Sequence, residues 1–464
     1  MSAAGAGLLA RLRDRRIDGA PSRRQSIAFG VSAFPTQLMA QTFAAFAVYF
    51  YVAHLGVPAD WVAGAMIAHA VLNAALNPVV GAISDRRRTA WGRRVPWIGL
   101  GIVPLVVAFA LIWMPPALPS GWLVVWFLVV VAVYDVAFVV VVLNVSALFP
   151  ELFRTTAERS RGNVPRQLFG ILGMVLGTAL APLLYGTIGW PGMAIAMALV
   201  CLGLLAWSFA GGMVERRGAS GRPQGEEQDA ATAPVLDWRG QLRYTLANRA
   251  FVTYVLGSLA VQTSIAIIVA GIPFYVRYSL HAEEAAGSIL LGAVFLAAIP
   301  ALFGWSRLAR RTSPRTALLW SVAVFGLAAV GFQFAPGIPA AAAVALLLGV
   351  GVGGLLQILE VALAQVIDDD ANRTGLRREG VYFGVNGFVV RGSVVVQAVV
   401  AAAVLGATGF DAALGDAQPA PVDGGIRLMI AVVPLVFAVI AWLCFRAFPI
   451  RRRDVEPLAL APLA

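Results

Sequence analysis

Polar side chains are rare inside the long apolar runs of this chain, and those present fall at helical spacing. His69, Asn73 and Asn77 recur every four residues, so on a helix they share one face. Gln37 and Gln41 repeat that spacing, and Asn144, Gln262 and Asn386 stand in other apolar runs. Amides present donors and acceptors together, which suits recognition of a neutral, hydroxylated solute. Asp135, within WFLVVVAVYDVAFVVVVLN, Glu360 and Arg391 add charge where charge is costly. On insertion scales an unpaired charge at such depth costs at least roughly 2.5–3.5 kcal/mol. One reading of Asp135, and of Glu360 nearer a helix end, is a buried carboxyl that loads and unloads a coupling proton. The other is a static ion pair or hydrogen bond that fixes helix contacts. His69, Asn73 and Asn77 likewise face a wet cavity or glue two helices together.

Composition dictates the elements that must position these groups. Of 464 residues, 59% are hydrophobic and 13% charged. That much apolar surface exceeds what a soluble core can bury, whereas lipid accommodates it. A helix needs about 20 apolar residues to cross hydrocarbon, and only helices or closed barrels can span. The runs are helical in length and lack the alternation of barrel strands. Breakers place spans near 27–54, 60–83, 96–115, 121–148, 166–188 and 190–213, then near 250–278, 284–305, 315–335, 338–364, 380–407 and 425–448. The expected fold is an all-α membrane protein of twelve transmembrane helices in two pseudo-symmetric six-helix bundles. Residues 1–25 form an N-terminal arm, 26–213 the first bundle, 214–249 a polar linker, 250–448 the second bundle and 449–464 a tail.

The net charge is +11, and all 35 basic residues are arginine. They crowd alternate connections: 86–88 and 93–94, 154–161, the linker, 307–315, 373–378 and 451–453. Connections 115–121 and 335–339 carry none, and Arg277 and Arg427 are the exceptions. This positive-inside pattern places both termini in the cytoplasm and the protein, multi-pass, in the plasma membrane. Among the arginine-rich connections, NPVVGAISDRRRTAWGRRVPW (77–97) is the sharpest local signal. Gly81 there is expected to let two helices approach closely. Asp85, Arg86 and Arg93 are expected to lock a gate in one state and release it in another. Arg159, Arg166, Asp368 and Arg378, in matching connections of the two halves, complete the gating set. Arg166 could equally be an interfacial anchor.

GAISDRRRTAWGRR resembles the loop 2–3 signature of the major facilitator superfamily. With Pro78 upstream and Arg93-Arg94-Val95-Pro96 downstream, it is similar to the glycoside–pentoside–hexuronide:cation symporters, the melibiose-permease family. LFPELFRTTAERSRGNVPRQLFGILG (148–173) and DDDANRTGLRREGVYFGVNGFVVRG (368–392) resemble that family's loop 4–5 and loop 10–11 segments. The resemblance implies a major facilitator fold, alternating access and a central cavity. It also implies departures. Asn73 and Asn77 stand where the family usually carries carboxylates, Gln37 and the neighbourhood of Asn144 replace two further acidic positions, and Arg391 replaces a lysine. Neutral amides ligate a hard cation weakly, so sodium coupling through the usual site is not expected.

The expected function is secondary transport of a small solute, a sugar or glycoside, with a proton as coupling ion. Gln37, Gln41, His69, Asn73, Asn77, Asn144, Asn386 and Arg391 are the expected solute contacts. Alternatives are a lipid or amphiphile carrier of the same fold, or a non-transporting assembly factor. No phosphate-cradling loop and no nucleophile–base pairing point to an enzyme. Cys201 and Cys444 read as buried small hydrophobes. No cofactor, metal or nucleic acid is expected, and the chain is expected to act as a monomer in the bilayer.

Overall fold

The computed structural model describes residues 16–86, 93–216, 245–374 and 379–449. The chain divides into two compact units, Met1–Thr232 and Ala233–Ala464.

In the first unit, Ser22 opens α1 (Arg23–Val31) through a capping box with Gln25. The chain breaks at Ser32, whose Oγ donates to Phe29 O, and resumes as α2 (Ala33–Tyr49). Then follow α3 (Ala59–Arg86), α4 (Val95–Ile112), α5 (Ser120–Leu152), α6 (Thr156–Ala179) and α7 (Ala181–Gly211). Inside α7, Gly189 takes φ 74° and ψ 168°. That conformation is open to glycine and closed to most side chains. The fifth span ends there and the sixth begins, at the break expected between 188 and 190. In the second unit run α8 (Arg249–Phe274), α9 (Gly287–Arg311), α10 (Pro314–Val330), α11 (Ile338–Thr374), α12 (Glu379–Thr408) and α13 (Ala420–Ala447).

Nine helices among the described residues are long and apolar enough to cross a membrane. The other three crossings are α1 with α2, α3, and α6. The first is interrupted at Ser32, α3 carries His69, Asn73 and Asn77, and α6 starts in a polar connection. The twelve-span expectation therefore stands.

The two units repeat one local device. The first span ends in a π turn over Phe50–His54 and the seventh in a π turn over Tyr275–Ser279. The backbone bonds match: Leu55 N–H donates to Phe50 O at 3.0 Å, and Leu280 N–H to Tyr275 O at 2.9 Å. Val57 to Tyr51 and Ala282 to Val276 repeat the next bond.

Close helix contacts depend on glycine, but not where expected. A Cβ on Gly173 would sit 2.2 Å from Phe34 O, and one on Gly177 would sit 2.5 Å from Leu38 O. These two let α6 lie backbone to backbone on α2. In the second unit Gly349 and Gly353 do the same for α11 against α9, meeting Val294 O at 2.1 Å and Ala298 O at 2.4 Å. Among the described residues a Cβ at Gly81 would meet only Leu143 Cδ2, at an ordinary 3.7 Å. The expected close approach at Gly81 is thus corrected: leucine, not backbone, faces it.

Candidate functional site

The second span presents His69 and, one turn on, Asn73. The fourth span presents Asp135 at its midpoint. His69 Nδ1 lies 2.6 Å from Asp135 Oδ2, and Asn73 Nδ2 donates to Asp135 Oδ1 at 3.1 Å. Asp135 is 1% exposed and the His69 side chain 16%. The Phe43 ring meets the imidazole edge-on at 5.1 Å between centroids. Tyr134, beside Asp135, is buried, and its hydroxyl has no hydrogen-bond partner among the described residues. Two members of the polar face on α3 therefore converge on one carboxyl, and each of its oxygens meets a nitrogen. Asn77 shares their helix, but its side chain lies outside the described residues.

The other polar groups at membrane depth are placed differently. Gln37 is exposed and Gln41 half-buried on α2. Asn144 is fully enclosed: its Nδ2 donates to Val140 O at 2.8 Å, and Arg94 Nη1 reaches its Oδ1 at 3.4 Å. It packs inside the unit and does not line an open surface, which corrects its reading as a solute contact. In the second unit Asn386 is half-buried, its Oδ1 without a partner among the described residues, while Arg391 and Glu360 are exposed. Buried Tyr254 lies within electrostatic reach of Glu360. Among the described residues no three His, Cys, Asp or Glu side chains group to hold a metal.

At the arginine-rich end of the first unit a second polar network forms. Arg93 Nη2 pairs with Glu151 Oε1 at 2.5 Å, and buried Arg94 donates to Ser84 Oγ at 2.9 Å. Glu215 accepts the backbone N–H groups of both arginines, that of Arg94 at 2.9 Å. It thereby supplies the anion that the exposed amides at the start of α4 favour. Glu215 and Arg216 form strand β2, which pairs in parallel with β1 (Arg16–Ile17). Arg216 reaches Glu158 at 3.1 Å. Burial raises the Glu158 carboxyl, but the N–H groups of Arg154 and Thr155 and the Arg216 guanidinium outweigh it, leaving the group below the usual carboxylate range. Arg159, exposed, donates from Nε to Phe153 O, and Arg166 lies over the Phe149 ring. Asp368 is exposed on α11, where its neighbour Asp369 pairs with Arg373. The side chains of Asp85 and Arg86, and Arg378 as a whole, lie outside the described residues.

Arg277 and Arg427, the exceptions to the arginine pattern, have local counter-charges. Arg277 pairs with Glu284 at 3.0 Å and Asp416 at 3.3 Å. Arg427 pairs with Asp423 at 2.9 Å and donates to the carbonyls of Ser279, Gln333 and Ala335. Glu151, Glu215 and Glu158 are partners that the sequence did not mark. Thr155-x-x-Glu158 is a capping box readable in advance; nothing local marks Glu215.

A helical membrane protein of twelve crossings in two repeated units, with a carboxyl held among nitrogen donors at mid-span, belongs to the class of polytopic transporter folds. Residues 28–452 match the model of the MFS/sugar transport protein family, and the chain belongs to that family. It is 24% identical to an uncharacterised symporter of Synechocystis, over 92% of this chain and 94% of that one. It is 22% identical to the isoprimeverose transporter of Lactiplantibacillus pentosus, over 95% and 91% of the two chains. It is 23% identical to the sodium-dependent lysophosphatidylcholine symporter 1 of Gallus gallus, over 82% and 78%. A solved bacterial homologue of the human lysosomal transporter Spinster, inward-facing and unoccupied, aligns with a TM-score of 0.68 at 13% identity. The alignment covers 95% of this chain and 100% of that one, a likeness of fold.

Proposed function

We propose that the protein is a secondary active carrier that moves a sugar or glycoside by alternating access, coupled to a proton at Asp135. One observation carries the coupling: a carboxyl 1% exposed at mid-span, ligated by an imidazole and an amide. The family description and the isoprimeverose transporter support the sugar. The arginine distribution supports a plasma-membrane protein with cytoplasmic termini. Exposed Gln37 and Arg391 and half-buried Gln41 and Asn386 are the solute contacts of this reading, and Arg93 with Glu151 belongs to its gate. The second reading, an amphiphile carrier, is favoured by the lysophosphatidylcholine relative.

Reconstituted full-length protein should accumulate labelled mono- or disaccharides against their gradient when the lumen is made alkaline. Asp135→Asn should lose that uphill uptake and keep solute exchange. Uphill uptake unchanged in Asp135→Asn removes Asp135 from coupling. Uptake of lysophosphatidylcholine with none of the saccharides transfers the reading to the amphiphile.

A further inference from the structure

We propose that His69 and Asp135 form a single proton site that takes H+ and rejects sodium, with the imidazole as its entrance. This deepens the carrier reading and rests on it for the coupling role; the binding itself does not. Without the extra proton the pair is a carboxylate beside a neutral imidazole, one net negative charge. With it, the pair is neutral as a whole, wherever the proton resides. Proton binding breaks no bond and needs no co-reactant; it changes the net charge of a buried pair from −1 to 0. In a medium of low dielectric the neutral form is the one that can stay enclosed, and the anionic form demands water or a counter-charge.

Among the described residues no other group nearby performs that neutralisation. Among the described residues His69 is the one cation partner of Asp135. From the first span Phe43 faces the imidazole, and it is uncharged. On the fourth span Tyr134 lies within electrostatic reach of Asp135, with Cys201 of the sixth span beyond it. Asn73 donates to the carboxyl and contributes no charge. The loaded state therefore depends on His69.

The donor set also selects the ion. A hard cation needs several oxygen ligands. Here one carboxyl oxygen meets an imidazole nitrogen at 2.6 Å and the other an amide nitrogen at 3.1 Å. Each carboxyl oxygen already meets a nitrogen that sodium would have to displace or share, whereas a proton needs only the short gap between Nδ1 and Oδ2. Of the two side chains His69 is the more exposed, 16% against 1% for Asp135, so the ring is the way in and out for the proton.

The test is pH-difference infrared spectroscopy of the full chain in lipid nanodiscs, with sodium chloride or with choline chloride at equal strength. The expected result is a reversible pair of imidazole and carboxyl bands that appear together. Both should vanish in His69→Gln and in Asp135→Asn, and the salts should give the same midpoint. Where His69→Gln fails to fold, Asp135→Asn decides alone. Bands that survive in Asp135→Asn, or a midpoint that moves with sodium, overturn the proposal. A sodium-insensitive paired titration without saccharide uptake under any gradient supports the site and removes the sugar-carrier reading. Saccharide uptake driven by sodium keeps the carrier and overturns the proton site.

Discussion

His69→Ala removes the partner of a carboxyl that has almost no solvent to fall back on. The contact is 2.6 Å and Asp135 is 1% exposed. Truncating one member of a buried pair costs about 3–5 kcal/mol. The variant has one escape, which is to fold with the carboxyl protonated. The cost of that escape falls by about 1.4 kcal/mol for each pH unit of acidification. His69→Ala should therefore be destabilised by about 3–5 kcal/mol near neutrality and approach the parent protein as the medium is acidified. The double variant His69→Ala/Asp135→Asn should recover most of the loss at neutral pH, because an amide left there is hydrogen-bonded to Asn73 and carries no charge. Thermal unfolding in detergent across a pH series, on all four corners of the cycle, measures this. A penalty that does not change with pH, or a double variant no better than His69→Ala, would refute the view that His69 holds a buried carboxylate.

Other positions give equally direct outcomes. Gly173→Ala should destabilise by about 1–3 kcal/mol through overpacking against Phe34 O, while Gly81→Ala should be tolerated; thermal unfolding of the two variants side by side checks the contrast. Glu158 lies below the usual carboxylate range, so its contribution is present above the unfolded value and is lost as pH falls through the folded one. Glu158→Gln should lower stability at neutral pH and narrow its gap to the parent at acid pH, read from the same pH series. Glu215→Gln weakens a charge-assisted cap on Arg93 and Arg94, by about 1 kcal/mol, and should speed tryptic cleavage at these arginines.

The spans were legible because hydropathy is a local property: each apolar run is long enough to announce itself, and Gly189 marks a break within one. The face on the second span was legible for the same reason, since three polar residues at one spacing define it. Its partner was not. Asp135 lies 66 positions from His69, and nothing in either neighbourhood says that the two helices meet at that height. Asn144 was misjudged because an amide in an apolar run looks the same whether it faces water or, as here, a buried arginine. Gly81 was misjudged because small residues permit close packing without compelling it; the neighbour across the contact decides. Arg277 and Arg427 remain departures from a pattern that counts basic residues alone; the structure adds their local counter-charges, Glu284, Asp416 and Asp423.

The paired π turns at Phe50–His54 and Tyr275–Ser279 act as phase shifters. Each accommodates one residue more than an α turn would. Excising a single residue from either would let the α ladder close, but every side chain beyond it would swing by roughly 100° about the axis. The loop anchored by the Val57 or Ala282 amide would then leave the helix pointing elsewhere. Both halves of the chain are thus tuned to the same angular offset, and a change of length at one cannot be absorbed without detuning it from its twin.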